Sequence, residues 1–514
     1  MKLGAERLPW PNLTIGGFER KAVLGAIERQ MAASTGYNLQ KAKTTNSPKR
    51  SAEMKLSRKQ VQQPTRVLPR LRFTDQKLSS YGGIVLFQAL FQKLGLRDRL
   101  RACFPTDGSS AYGRALLFLG LVVHILLGHR QLREMAYYRD DPMALRLLGL
   151  ARWPDVATFS RMLAGIEEKN LDRLRRLSLD LVSERLSGLQ PRRVTLDFDG
   201  SVLGTSRRAQ GTAVGYNRRK KGQRSYYPLF CTVAQTGQVF DFLHRPGNVH
   251  DSNGAEAFIR ACIQQIRGIL PRAIVEIRMD GAFFSNALVS MLNEEGVEFT
   301  ISVPFEGLAL LKQRVEARRR WRRVNEETSC FEMRWKPKSW KRRARFLVIR
   351  RIQPVQRKEP LQLDLFVPQV DGYVFKVVVT NKKISPRHVA VFHEGRGAQE
   401  AVFGELKSDG QMGYIPVRGL VGNQAYLLAT ILAHNLSREL QMQVREPQRS
   451  TTEKRAPLWR FERLGTLRRR LIQRAGRLTW PQGILTLTFG VGEAIQHDIE
   501  SSLERLQPAS AGAI

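Results

Sequence analysis

The amino-acid sequence predicts an α/β protein whose core is a mixed β-sheet, with an all-helical domain before the core and a β-rich insertion within it. Residues 80–186 carry apolar side chains at the three-to-four spacing of helices. Residues 194–303 instead alternate short strand-like segments with amphipathic helices. Residues 312–358 break that rhythm with 18 Lys and Arg residues against 4 acidic ones. We therefore expect several domains in the 514 residues.

The charge of the chain points to a polyanionic partner. The 84 Lys and Arg residues exceed the 46 Asp and Glu residues, which gives a formal net charge of +38. These basic residues lie among core-forming segments rather than in one tail, which favours a folded protein with a long nucleic-acid footprint. We predict DNA as the partner; RNA binding and membrane-surface binding are the alternatives.

Membrane insertion and a secretory route are not expected. The longest apolar run, residues 115–128, contains His124 and is shorter than the roughly 18–20 residues of a spanning helix, so it predicts a buried helix. The N-terminus lacks a signal-peptide pattern, which indicates a cytoplasmic, DNA-associated protein without a membrane partner. The four cysteines show no Cys-x-x-Cys pairing and are predicted to be buried reduced thiols.

The first part of the chain is predicted to be a flexible arm followed by a helical domain. The arm is polar and basic, with one short helix predicted over 17–31, and Met54 is an alternative to Met1 as the start of translation. In the helical domain, residues 154–161 are compatible with a helix-turn-helix element that displays Thr158, Ser160 and Arg161. An ordinary capped helix in a bundle is the alternative.

The order of elements after residue 193 is typical of an RNase H-like core. Strands over 194–199, 226–233 and 238–243 are followed by helix 254–269, strand 273–278, helix 286–295 and strand 298–303. Another strand over 374–380 precedes a helical region over 386–441, and a last strand is predicted over 484–489. The predicted organisation is a basic arm (1–75), a helical DNA-binding domain (76–190), the first part of the core (191–304), a β-rich basic insertion (305–372), the second part of the core (373–445) and a basic C-terminal region (446–514).

Two aspartates stand where predicted strands end. Asp199 closes the first strand, and Asp280 closes the strand before the Gly281 turn. Asp197 shares the face of Asp199, because side chains alternate along a strand. Carboxylates can hold two metal ions about 4 Å apart, which activate a nucleophile and stabilise the leaving oxygen of a phosphodiester. Mg²⁺ prefers oxygen ligands, so we expect Mg²⁺, with Mn²⁺ as an alternative.

A third carboxylate lies on the predicted helix near residue 400. Arg396, Glu400 and Lys407 stand at i, i+4 and i+11, so they share nearly one stripe of a helix. A surface ion-pair ladder is the common explanation of such a stripe. A functional stripe would give Glu400 to metal and Arg396 and Lys407 to DNA phosphates.

Here the sequence resembles the DDE transposases of bacterial insertion sequences, specifically the IS1380 family, from about Gly82 to the C-terminal region. The residues that carry the resemblance are Gly215-Tyr216-Asn217-Arg218-Arg219-Lys220-Lys221-Gly222, Ser225-Tyr226-Tyr227-Pro228-Leu229, Arg245-Pro246-Gly247-Asn248, Arg278-Met279-Asp280-Gly281 and Gly395-Arg396-Gly397 through Glu400 to Lys407. Related transposases carry a Tyr-x2-Arg-x3-Glu-x6-Lys signature; this chain has His393 where Tyr is usual.

The resemblance implies a Mg²⁺-dependent transposase that cuts at the ends of its element and joins them to target DNA. It implies that Asp199, Asp280 and Glu400 are the catalytic metal ligands. Asp199 is preferred to Asp197, because its Asp-Gly-Ser context resembles the family's Asp-x-Thr/Ser pattern. It also implies that residues 305–370 are the β-rich insertion of the relatives.

Two further basic or aromatic groups are candidates for DNA contacts. Arg218, Arg219, Lys220 and Lys221 are expected to form a phosphate-binding turn, with a solvated hairpin as the alternative. Trp321, Trp335 and Trp340 are each expected to pack in the protein rather than to stack on a base.

Two other functions are compatible with the same residues. One is an RNase H-like nuclease or resolvase that cuts DNA without strand transfer, and the other is a DNA-binding derivative without catalysis. The symmetry of a two-ended substrate predicts a homodimer in the active complex.

Overall fold

The computed structural model describes residues 70–105, 112–206, 208–215, 217, 220–250, 254–352, 369–370, 372–450, 454–490 and 492–507. The helix predicted over 17–31, Met54 and nearly all of the predicted arm lie outside the described residues.

The described residues before 190 are mainly helical, as the apolar spacing predicts. Asp141 begins one helix with a side chain that accepts hydrogen bonds from two backbone amides, next to Pro142 in the first turn. The apolar run expected to be a buried helix is helical and ends at Gly128, whose φ of 102° suits glycine. The helices here are α1 Val85–Lys93, α2 Leu96–Ala102, α3 Arg114–Leu127, α4 Pro142–Leu148, α5 Val156–Ala164 and α6 Glu168–Leu189.

The helix predicted within residues 154–161 is confirmed as α5, which agrees with both interpretations of this segment. Arg161 is exposed on α5, whereas Thr158 and Ser160 are half-buried. None of the helices in the described part of the chain has both the length and the apolar character needed to cross a bilayer.

A large mixed sheet forms the centre of the molecule. Its strands are β2 Arg193–Gly200, β6 Leu229–Val233, β7 Gln238–Leu243, β8 Ile274–Met279, β9 Glu298–Val303, β10 Arg322–Arg323, β11 Thr328–Trp335, β12 Ala344–Ile352, β13 Gln369–Val370 and β14 Tyr373–Thr380. The strand order is β10-β11-β12-β14-β9-β8-β2-β6-β7, and β13 pairs with β14. β2 runs parallel to β8, and β8 runs parallel to β9, whereas the other pairs are antiparallel.

Smaller strands form two sheets of three strands each. One joins β1 Leu78–Ser79 to β15 Gly476–Thr479 and β16 Thr486–Phe489. The other joins β3 Leu203–Gly204, β4 Ala213–Val214 and β5 Arg224–Tyr226 in the loop between β2 and β6.

The prediction of one strand over 226–233 is wrong. The segment divides between β5 and β6, which belong to different sheets. Pro228 stands at the break, and a proline has no amide hydrogen to donate to a ladder. The amide of Tyr227 donates instead to the carbonyl of Arg245.

The residues of the predicted insertion extend the central sheet. β12 pairs along its length with β14, which in turn pairs with β9. The buried rings of Trp335 and Trp340 both pack against Phe346 on β12. Packing is therefore confirmed for these two tryptophans.

The two faces of the sheet are covered by different helices. α6 together with α7 Ala255–Ile269 and α8 Asn286–Glu294 packs on one face. The opposite face is covered by α10 Pro386–Glu394 and α11 Gly397–Ser408. The short helix α9 Ala309–Glu316 follows β9.

The C-terminal part of the chain returns to the helical layer. The long helix α12 Leu420–Val444 is buried over most of its length and shares a core with α3. The chain then forms α13 Leu464–Leu467, the β15–β16 hairpin and α14 Glu493–Leu506. The predicted strand over 484–489 is confirmed as β16. The four cysteines are buried and unpaired, as predicted.

Candidate active site

The strands that carry the predicted aspartates have one apolar face and one polar face. Side chains alternate along a strand, so every second residue of β2, β8 and β9 points to the same face. The face toward α7 and α8 carries buried apolar residues: Val194, Leu196, Phe198, Val275, Ile277, Met279, Phe299, Ile301 and Val303. The opposite face, which we call the polar face, carries Thr195, Asp197, Asp199, Glu276, Arg278, Asp280, Glu298, Thr300 and Ser302.

Asp199 and Asp280 lie side by side at the carboxyl edge of the sheet. Phe198 of β2 is in register with Met279 of β8, so the next residues along the two parallel strands are Asp199 and Asp280. Asp280 also begins a helical turn, where its Oδ1 accepts a hydrogen bond of 3.0 Å from the amide of Ala282. The two predicted ligands that are 81 residues apart therefore meet at one edge.

Glu400 approaches this edge from α11. The Arg396 guanidinium lies 3.2 Å from Asp199 Oδ2 and 3.2 Å from Glu400 Oε1. One head group thus contacts both carboxylates. The Glu400 side chain is 64% exposed, whereas that of Asp199 is 18% exposed. The ion pair between Arg396 and Glu400, which the sequence left open as an alternative, is present in the structure. The same Arg396 guanidinium also pairs with Asp199.

Asp197 lies on the same face but in a different environment. It is 1% exposed and receives two hydrogen bonds, of 2.5 and 2.6 Å, from the fully buried Arg278. Burial raises the pKa of Asp197 above its usual value, and the Arg278 guanidinium opposes that rise by stabilising the carboxylate. The carboxylate oxygens of Asp197 are therefore engaged inside the protein.

Arg278 also fixes the backbone that leads to Arg396. Its remaining donors reach the carbonyls of Phe392, at 3.1 Å, and Lys454, at 2.6 Å. A Cβ atom at Gly395 would lie 2.1 Å from the Lys454 carbonyl oxygen and 2.2 Å from Arg278 Nη1. Only glycine permits this approach, which sets the position of Arg396.

His393 attaches α10 to β9. Its Nε2 lies 2.8 Å from Ser302 Oγ and its Nδ1 lies 3.0 Å from Thr300 Oγ1. Burial lowers the pKa of His393 well below 6.5, and the charges of Lys376 and Arg396 lower it further. His393 is therefore a neutral, buried contact between helix and sheet rather than a group open to DNA.

Two side chains near the site were not predicted from the sequence. Gln399 of α11 donates a hydrogen bond of 2.9 Å to the carbonyl of Asp197 and so attaches α11 to β2. Lys376 of β14 remains solvent-accessible, yet the surrounding protein lowers its pKa and the charge of Arg396 lowers it further. The sequence could have pointed to Lys376, because it is the one charged residue in the strand sequence Tyr-Val-Phe-Lys-Val-Val-Val-Thr.

The amino end of the polar face holds a buried network of charges. Lys382 contacts both Glu276, at 2.7 Å, and Glu298, while Arg193 contacts the same two carboxylates. Arg455 contacts Glu276 at 2.9 Å. Burial alone would raise the pKa of Glu276, but Lys382 and Arg455 lower it to about 2.

The remaining predicted DNA-binding residues are less closely tied to the carboxylates. Lys407 is exposed on α11, and Lys220 and Lys221 are exposed in a turn of the loop that leaves β2 at the carboxyl edge. Arg218 and Arg219 lie outside the described residues.

The acidic side chains do not form a ready-made metal cluster. Among the described residues, no group of three or more His, Cys, Asp or Glu side chains is arranged to hold a metal ion. Arg396 lies between Asp199 and Glu400, which places a positive charge at the centre of the site.

Comparison with known sequences decides the family. The sequence profile described as "Transposase DDE domain group 1" matches residues 62–511, which is most of the chain. The chain belongs to this transposase family. The match includes Asp199, Asp280 and Glu400, and it spans all the described elements from β1 to α14. No curated protein sequence matches the transposase chain significantly.

Two solved structures are similar to parts of this transposase. A piggyBac transposase synaptic complex with hairpin DNA has 12% identity and a TM-score of 0.37, with 84% of this chain and 87% of that chain covered. A Mos1 transposase paired-end complex with the left transposon end has 13% identity and a TM-score of 0.16, with 32% and 56% covered.

Proposed function

We propose that this DDE transposase binds the terminal inverted repeats of a bacterial insertion sequence of the IS1380 family, cuts the DNA there and joins the ends to target DNA. The observation that carries the proposal is the meeting of Asp199, Asp280 and the Arg396–Glu400 pair at one edge of the central sheet. The match to the transposase family supports the same assignment. The proposed core is RNase H-like, which the order β7-β6-β2-β8-β9 supports.

The residues at this edge suit a divalent cation. Asp199, Asp280 and Glu400 provide carboxylate oxygens, which are the ligands that Mg²⁺ and Mn²⁺ prefer. The Arg396 guanidinium between two of them supports the idea that this edge attracts positive charge. When bound, two such ions activate the attacking oxygen and stabilise the leaving oxygen of a phosphodiester.

Asp199 is the better candidate for the first ligand, in preference to Asp197. Both oxygens of Asp197 accept hydrogen bonds from Arg278, and a cation in their place would leave the buried Arg278 without its partner. Asp199 stands at the edge and is partly accessible. The proposed role of Asp197 is therefore to position β2 and α10 through Arg278.

The basic side chains at this edge have a role toward DNA. Arg396 contacts Asp199 and Glu400, and Lys376 is near enough for its charge to interact with those of Arg396 and Glu400; both are proposed to offer positive charge to the phosphate next to the cleaved bond. The exposed Lys407, Lys220 and Lys221, together with Arg218 and Arg219, are proposed to hold phosphates further along the same DNA. A homodimer would hold the two ends of the element.

DNA cleavage with defined ends tests this proposal. A duplex that carries the terminal inverted repeats of the element is incubated with the protein and Mg²⁺, and then with a labelled target duplex. We expect Mg²⁺-dependent cleavage followed by strand-transfer products, and loss of both with Glu400→Gln. Equal cleavage by wild type and Glu400→Gln would contradict the assignment of the site, and cleavage without joined products would favour a nuclease.

A further inference from the structure

A basic groove lies at the amino end of β9, at the opposite edge of the central sheet from the candidate active site. One wall is α8, and the other is the loop 336–343 that joins β11 to β12. The groove has a volume of about 910 Å³. Besides the buried Lys382, six basic residues line it: Arg334, Lys341, Arg342, Arg343, Arg345 and Lys383. Glu294 is the one carboxylate among its described lining residues.

Most of these charges have no acidic partner among the residues that the structure describes. Arg345 pairs with Glu332 at 2.5 Å. Within the part of the chain that the structure describes, the other five basic residues make no ion pair, and all five are exposed. Like charges that are held together repel each other, and a polyanion in the groove removes that repulsion.

The loop that carries three of the charges is fixed by its neighbours. Trp340 is buried, and its ring centroid lies 5.0 Å from that of Phe284 and 6.1 Å from that of Phe346. The Trp340 amide donates to the carbonyl of Pro337 at 3.0 Å. Lys341, Arg342 and Arg343 follow this anchor directly, so their backbone is ordered before any ligand binds.

The helical wall offers polar groups beside the charges. Asn286, Ser290 and Asn293 of α8 line the groove, and Asn293 Oδ1 accepts a hydrogen bond of 3.1 Å from Asn381. The nine residues of α8 extend about 13 Å, which matches the axial rise of about four phosphates on one DNA strand. Amide, hydroxyl and basic side chains together are typical of contacts to a phosphate backbone.

We propose that this groove binds the phosphodiester backbone of duplex DNA without regard to base sequence. The proposal rests on the proposed function, which supplies DNA as the partner. The groove lies beside the amino end of β9, whereas Asp199 and Asp280 lie at the carboxyl ends of the parallel strands β2 and β8. DNA in the groove is therefore a different segment from the one at the carboxylates of the same subunit.

The salt dependence of DNA binding tests the groove. The variant Lys341→Gln, Arg342→Gln, Arg343→Gln is compared with wild type on a random-sequence 40-bp duplex in EDTA, which prevents cleavage. Loss of three phosphate contacts is expected to reduce the slope of log K against log salt by about 2–3 and to weaken binding at least about tenfold at 0.1 M salt.

A matched variant separates the groove from net charge. Arg192→Gln, Arg272→Gln, Arg387→Gln removes the same charge from exposed, scattered positions outside the groove. We expect this control to change the slope by less than about 1. An equal reduction in both variants would overturn the groove proposal. Circular dichroism melting curves that coincide with wild type show that both variants are folded.

Two further measurements make the outcome decisive. In the wild type, DNA is expected to protect Lys341 and Lys383 from an amine-reactive label; unchanged labelling with DNA bound would overturn the proposal. A structured RNA that outcompetes the duplex and depends on the same three residues would assign the groove to RNA instead. Failure of the wild type to bind any duplex would count against the proposed function, whereas duplex binding that is unaffected by the groove variant counts against the groove alone.

Discussion

The two ends of the polar face of the central sheet use the same kinds of residue in different ways. At the amino end, Glu276 and Lys382 are almost wholly buried, and each contacts two or more opposite charges. At the carboxyl end, Asp199 and Glu400 share one arginine and keep part of their surface accessible. The amino end therefore has the character of a structural network, and the carboxyl end has the character of a site that can exchange partners.

Replacing a carboxylate at the carboxyl end should have the largest effect: it should reduce DNA cleavage strongly and leave the free energy of unfolding nearly unchanged. For Asp199→Asn we expect cleavage to fall on the order of 10³-fold, because the proposed metal ligand is lost. The free energy of unfolding should change by about 1 kcal/mol at most, because Arg396 keeps Glu400 as a charged partner and the asparagine oxygen can still accept its hydrogen bond. Cleavage rates and urea titrations measure the two quantities. A large loss of stability would place Asp199 among the structural residues.

Replacing a carboxylate at the amino end should give the opposite result. Glu276→Gln removes the buried carboxylate that Lys382, Arg193 and Arg455 share, so we expect the free energy of unfolding to fall by about 3 kcal/mol at pH 7. The pKa of Glu276 is lowered from 4.5 to about 2 in the folded protein. Its contribution is therefore complete above pH 4.5 and is lost as the pH falls towards 2.

Urea titrations of wild type and Glu276→Gln between pH 7 and pH 3 check this prediction. The difference between the two proteins should shrink below pH 4.5. A difference that is constant over the whole range would show that the charge of Glu276 does not stabilise the fold.

The middle of the polar face links the two ends. Arg278→Lys keeps the charge but loses the paired contact with Asp197 and the bonds to the Phe392 and Lys454 carbonyls. We expect a loss of about 2–3 kcal/mol in the free energy of unfolding. The molecules that remain folded should lose less of their cleavage rate than Asp199→Asn does. Arg387→Lys, on the exposed side of α10, is the control and should match wild type. Wild-type stability of Arg278→Lys would exclude the proposed positioning role.

The smallest effect is expected at His393 and depends on pH. The folded protein keeps His393 neutral, with its pKa well below 6.5, whereas the unfolded chain takes up a proton below pH 6.5. Wild type should therefore lose about 1–2 kcal/mol from this residue between pH 6.5 and pH 5. His393→Gln should lack that part of the pH dependence in urea titrations. Parallel curves for the two proteins would show that His393 titrates normally.

The sequence predicts well which residues lie on the polar face, because polar and apolar side chains alternate within each strand and this pattern is visible in the strand's own sequence. Val-Thr-Leu-Asp-Phe-Asp and Ile-Val-Glu-Ile-Arg-Met-Asp each place polar residues on one side of a strand. The positions of Asp199 and Asp280 at strand ends were therefore predictable, and so was the helix that carries Glu400. The strands predicted over 238–243 and 298–303 are confirmed with the same bounds.

The division of roles along the polar face was not predictable in this way. Asp197 and Asp199 are equivalent in the alternation, and in the structure the contact of Asp197 with Arg278, 81 residues further along, distinguishes their environments. Lys382 and Arg455 reach Glu276 from still more distant segments. Such long-range pairs leave no mark in local periodicity, and neither does the pairing of β14 with β9 that joins the insertion strands to the core sheet.

The assignment of the metal ligands is tested by a structure with DNA ends and Mn²⁺ bound, in which the metal is located by anomalous scattering. We expect anomalous peaks within about 2.0–2.6 Å of carboxylate oxygens of Asp199, Asp280 and Glu400, with Arg396 moved from Glu400 towards a phosphate. Peaks bound by Asp197, or a Glu400 that remains on Arg396 while metal and DNA are present, would contradict it.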